Sequence, residues 1–174
     1  LRKFKVNFEW ITNKKQIIIF YRLNSLEQLE MPQNGIRAEG MAVIAKAIES
    51  NPGLKILNLN DNNLKGSGGL AIAGALSKLK NIQTVNFGDC LLRRNGCIAV
   101  CEALIAGGNI ENVKEMILNG NEIGGQLAVE VLDRLFADKQ HYKVSLDLSN
   151  NNFGSDGVDQ LNKLLQNKLE LRLL

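Results

Sequence analysis

Leu54-Lys55-Ile56-Leu57-Asn58-Leu59-Asn60-Asp61-Asn62-Asn63-Leu64 is the stretch that decides the fold. Leu57 and Leu59 alternate with polar residues, the period of a short half-buried strand. Asn60 to Asn63 then form the polar cluster expected of a turn. The same spacing returns as Leu26, Leu29, Met31, Asn34, Ile36 and as Ile82, Val85, Phe87, Cys90, Leu92. It returns again as Val113, Met116, Leu118, Asn121, Ile123 and as Lys143, Leu146, Leu148, Asn151, Phe153. Successive Asn or Cys positions lie 28, 28, 31 and 30 residues apart. A near-constant period of that length marks a repeat architecture.

The second half of each unit repeats too. Ten residues past the Asn or Cys stand Ile44, Ile72, Val100, Val131 and Leu161. Fourteen past it stand Ile48, Leu76, Leu104, Leu135 and Leu165. A spacing of four places each pair on one helical face. One strand–helix unit cannot bury its apolar face alone, so stacked units share a continuous core. The ladder Asn is expected to be buried and to bond turn backbone, because its amide both donates and accepts. A small thiol at Cys90 can occupy the same place.

The template L-x-x-L-x-L-x-x-N-x-L is similar to that of leucine-rich repeats. The predicted fold class is α/β, a leucine-rich-repeat solenoid. It is a ribonuclease-inhibitor-like horseshoe segment with parallel concave strands and convex helices. Residues 25–174 hold about five repeats of 28–31 residues. Residues 1–24 form an atypical leader or degenerate first repeat, with Leu1, Phe4, Val6, Glu9 and Ile11 at the template positions. Leu171 to Leu174 is a candidate further strand.

Composition narrows the function. Of 174 residues, 45% are hydrophobic and 22% charged, the balance of a globular chain. The net charge of +3 is misleading as a clue to nucleic acid. Residues 1–24 carry six Lys/Arg and one acid, whereas residues 25–174 carry fifteen basic and seventeen acidic residues. No apolar run approaches a membrane span. Three cysteines make an odd number and favour a reducing compartment. A single histidine, His141, argues against a His-based metal site and reads as a solvated loop residue. No metal, cofactor, nucleic acid or membrane insertion is expected.

Several motifs have plainer explanations than chemistry. Gly66-Ser67-Gly68-Gly69-Leu70-Ala71 matches G-x-G-x-x-A, yet it falls where every repeat turns. Cys97 and Cys101 share a helix face with small or apolar counterparts, so both read as core. Arg93-Arg94 could supply an arginine finger to a hydrolase, but reads better as a solvated turn. The basic leader, with Phe4, Phe8 and Trp10, reads as a cap before it reads as a stacking platform. The strand face says more. Glu27, Glu30, Asp61, Asp89, Glu115 and Asp147 oppose Lys55, Lys114 and Lys143, with Asn58, Asn60, Asn86 and Asn119 among them. That amide-rich, mildly acidic surface suits a polar protein partner of basic character.

Met31-Pro32-Gln33-Asn34-Gly35-Ile36 and Gly88-Asp89-Cys90-Leu91-Leu92 resemble repeats of the Ran GTPase-activating protein family. The resemblance spans about residues 25–165. It implies a regulator, not itself an enzyme, that stimulates GTP hydrolysis by GTP-bound Ran in nucleocytoplasmic transport. Such help acts by docking and by orienting the GTPase's own groups. The family's key Asn and Arg belong to repeats upstream of Asn34, which this chain does not show. The resemblance therefore implies no catalytic residue here and weak or no activation by this chain alone. It carries over partner-surface positions Asp61 and Asp89, with Asn60 and Asn119. It also implies a monomer in the cytoplasm, with association at the nuclear envelope. The alternative is a leucine-rich-repeat interaction scaffold with no GTPase-activating role.

Overall fold

The computed structural model describes residues 3–5, 24–108, 110–136, 144–166 and 172–173. Its strands are β1 (Lys3–Lys5), β2 (Gln28–Glu30), β3 (Ile56–Asn58), β4 (Thr84–Asn86), β5 (Glu115–Ile117), β6 (Ser145–Asp147) and β7 (Arg172–Leu173). Its helices are α1 (Ala38–Glu49), α2 (Lys65–Leu76), α3 (Arg93–Ala106), α4 (Gly125–Phe136) and α5 (Gly154–Gln166). A 3-10 turn, Ile110–Asn112, precedes β5. The strands form one parallel sheet in chain order. Helices neighbour helices in the same order, α1 to α2 and onward to α5. The expected α/β solenoid is therefore the observed fold.

Register explains the template. Leu29, Leu57, Val85, Met116 and Leu146 face one another across successive strands. Each is the central residue of a three-residue strand and is buried. Their neighbours on either side are half-buried, because successive side chains point to opposite faces. Burying one such Leu contributes roughly 1.5–3 kcal/mol. The helical partners Ile44, Ile48, Ile72, Leu76, Val100 and Leu104 complete the same core. At the amino-terminal edge, Phe4 lies opposite Leu29.

Helix packing accounts for the glycines. A Cβ on Gly69 would fall 2.6 Å from Gly96 Cα, and a Cβ on Gly96 would fall 3.1 Å from Gly66 Cα. The backbones of α2 and α3 thus approach too closely for any side chain between them. Gly125 and Gly157 bring α4 and α5 together in the same way. The G-x-G-x-x-A string is explained by this contact. The fourth repeat has Leu127 where its neighbours have glycine, and there the contact changes. Arg94 of α3 reaches Glu130 of α4 at 2.7 Å instead.

Candidate functional site on the concave strand face

The outward strand residues form two rows. Gln28, Ile56, Thr84, Glu115 and Ser145 make one, and Glu30, Asn58, Asn86, Ile117 and Asp147 the other. Strand ends are set by the second row. Asn58 Oδ1 accepts the Asn60 N–H (3.0 Å), Asn86 Oδ1 that of Gly88 (2.9 Å), and Asp147 Oδ1 that of Ser149 (2.9 Å). These side-chain turns stop the strand after three residues. Asn58 and Asn86 therefore shape the site's edge.

Next comes a left-handed residue in every repeat: Gln33, Asp61, Asp89, Gly120 and Asn150, with φ between 52° and 61°. Only Gly enters that region freely, and Asp and Asn tolerate it best among the others. The conformation turns the Asp61 and Asp89 side chains outward at equivalent places in adjacent repeats, and both are exposed.

The four candidate residues converge on Gly88. A Cβ there would collide with Asn119 Oδ1 and lie 2.7 Å from the Asn60 amide. Both amides therefore cover the bare Gly88 backbone. Asn119 Nδ2 donates to Asp89 Oδ2 at 3.1 Å. The Asp89 carboxylate overlies Gly120, where a Cβ would strike its Oδ1. With its amide turned, Asn60 donates to the Gly88 carbonyl and accepts the Asp61 N–H, each at 3.3 Å. Asp61 Oδ2 accepts from Gln33 Nε2 at 2.8 Å. The result is a polar ledge across four repeats. Sequence reasoning missed Gly88 and Gln33. The signal for Gly88 was present: among Pro32, Asn60, Gly88, Asn119 and Ser149, only that position lacks a side chain.

Beneath the ledge runs the asparagine ladder. Asn62 Oδ1 accepts the N–H groups of Asn34 and Ile36 (both 3.0 Å) in the preceding repeat. Its Nδ2 donates to the carbonyls of Met31 (2.8 Å) and Leu59 (2.7 Å). Asn151 repeats this with the N–H groups of Asn121 and Ile123. Asn121 Oδ1 accepts the Leu92 N–H at 2.9 Å. Cys90 keeps the donor half, its Sγ lying 3.1 Å from the Leu59 carbonyl and 3.3 Å from that of Gly88, and offers sulfur as a weak acceptor in place of the amide oxygen. Burial pushes this thiol up to about 12, while the backbone N–H of Asn62 pulls it down. Burial raises the Cys97 thiol as well. Cys90, Cys97 and Cys101 are free and buried, as core residues.

The remaining candidates sort plainly. Arg93 Nε donates to Glu122 Oε2 at 2.7 Å, so both arginines of the pair are held by carboxylates of the next repeat. Lys55 pairs with Glu27 at 3.0 Å, each one residue before its strand, β3 and β2 respectively. His141, Lys143, Phe8 and Trp10 lie outside the described residues. Among the described residues no group of three His, Cys, Asp or Glu could hold a metal ion. No helix among them is long and apolar enough to cross a membrane.

These features define a class of protein, a leucine-rich-repeat solenoid with a polar concave face. The sequence model of the Leucine Rich repeat family matches residues 50–73 and 144–161. Among solved structures, the chain is similar to "Leiomodin-1 Actin-Binding Site 2 (ABS2)". The TM-score is 0.65 at 18% identity, over 88% of this chain and 87% of that one. At that identity the likeness is one of fold. No curated protein matches the sequence.

Proposed function

We infer that this chain is a protein-interaction scaffold whose partner lies on the concave strand face and its ledge. One observation carries the reading. Asn60, Asp61, Asp89 and Asn119 gather around Gly88 on a sheet face across which no described element lies. Leucine-rich repeats mediate protein binding, and polar side chains held by a rigid scaffold make a recognition surface.

Actin is the first partner to test, because a similar solved structure is an actin-binding site. A second reading rests on the strings at Met31–Ile36 and Gly88–Leu92. They support GTP-bound Ran as the partner, with this chain as a regulator of hydrolysis, contributing docking surface and little or no activation alone. Either role places the chain in the cytoplasm, which the three free thiols suit.

The test is binding to actin filaments and to GTP-loaded Ran, with wild type and Thr84→Arg. Thr84 is half-buried at the centre of the face. An arginine there is expected to weaken the true interaction at least about tenfold, the range of a disrupted interface centre. Wild-type affinity in Thr84→Arg would sink the concave-face reading.

A further inference from the structure

We propose that the ledge docks a lysine- or arginine-bearing segment of the partner protein, with Asp61 and Asp89 as its charged anchors. This rests on the concave face being the partner surface. Asp61 and Asp89 occupy the same register in adjacent parallel repeats, roughly 4.8 Å apart by strand spacing. Like charges placed side by side on neighbouring strands repel. Among the described residues no cation forms an ion pair with either. Each is held instead by a neutral amide, Gln33 Nε2 on Asp61 and Asn119 Nδ2 on Asp89. A neutral donor fixes the carboxylate's direction and leaves its charge uncompensated. Two oriented, exposed, uncompensated carboxylates are complementary to a guanidinium or ammonium group.

The surrounding charge gives the segment a path. Lys65 and Arg93 stand four residues past the two aspartates, at the starts of α2 and α3. Lys65 repels a basic segment from the helix side, whereas the charge of Arg93 is taken up by Glu122. Glu115 and Asp147 lie on the strand side, on β5 and β6, where they attract it. The occupant thus crosses the strands along the concave side of the ledge.

Fluorescence anisotropy with two labelled peptides tests this. One probe is six Arg-Ser repeats, the other six Glu-Ser repeats. The Arg-Ser probe is expected to bind the whole chain, and the Glu-Ser probe to fail. Asp61→Asn combined with Asp89→Asn should weaken the Arg-Ser probe about tenfold, the sum expected for two exposed ion pairs. Asn tolerates the left-handed conformation, and an unchanged circular-dichroism spectrum verifies the fold. A control pair on the convex side, Glu39→Gln with Asp133→Asn, should change binding less than twofold. Equal loss in the control pair, equal binding of the Glu-Ser probe, or no binding of the Arg-Ser probe overturns the proposal. Should actin or Ran binding fall with Thr84→Arg but hold in the double aspartate variant, the charge inference fails and the concave-face reading stands.

Discussion

Cys90→Asn should stabilise this protein, and the size of the gain follows from its neighbours. At Asn62 and Asn151 the amide oxygen accepts two backbone N–H groups of the preceding turn. The equivalent groups above Cys90 are the N–H groups of Asn62 and Leu64; that of Asn62 meets sulfur, a weak acceptor, in place of an amide oxygen. Restoring an oxygen gives two N–H···O bonds worth about 1 kcal/mol each net. The new Nδ2 replaces the thiol as donor to the Leu59 carbonyl. The side chains are close in volume, so overpacking subtracts at most part of this gain. The expected net is about +1 to +2 kcal/mol, a rise in Tm of roughly 2–8 °C for a chain of this size. Urea denaturation followed by circular dichroism measures it. Asn62→Cys is the mirror experiment and should cost about the same or more. A destabilised Cys90→Asn together with a neutral Asn62→Cys would refute the claim that the amide oxygen closes the turn.

Gly69→Ala should destabilise by about 2–3 kcal/mol, because its Cβ would meet Gly96 backbone at 2.6 Å. Gly74→Ala, with open space around its Cβ, should instead stabilise α2 by about 0.5–1 kcal/mol. Thermal melts of the pair read both signs. Gly88→Ala should weaken partner binding more than it lowers stability, since its Cβ displaces the Asn60 and Asn119 amides. Binding and melting measured on the same preparation separate the two. For Cys90, burial raises the folded pKa from 9.0 to about 12, so the folded state holds its proton more tightly. Its contribution is complete below about pH 9 and is lost as pH rises toward about 12. Urea midpoints should fall over that window, and less steeply in Cys90→Asn.

The fold was legible because the period-2 and period-3.6 patterns agree in every repeat. Leu57 and Leu59 predict the strand, Ile72 and Leu76 the helix face, and both sets end in one core. The site was legible in part. The sequence marks Asn60, Asp61, Asp89 and Asn119 as surface positions, and the ledge collects them. Their convergence on Gly88 was hidden, because it depends on residues 28 to 31 positions apart meeting across strands. The division of labour among asparagines was hidden too. Asn58 and Asn60 look alike in sequence, yet one closes a turn and the other lies over Gly88. The shift from glycine seam to Arg94–Glu130 ion pair likewise needs both partners in view.

The ladder asparagines Asn62, Asn121 and Asn151 reach backward, each from its own repeat into the turn before it. This gives the solenoid an inherent polarity. When a repeat frays, the turn on its amino-terminal side loses a buried acceptor and keeps orphaned N–H groups. The asparagine on its carboxy-terminal side merely turns to water. Opening should therefore be penalised more when it advances toward the amino terminus than when it retreats from it. Among the rungs at Asn62, Cys90, Asn121 and Asn151, that ratchet slips at Cys90. The solenoid is coupled in blocks meeting between Asn62 and Cys90, a joint that the Gly69–Gly96 contact clasps from the convex side. Hydrogen exchange should find a step in protection at that joint.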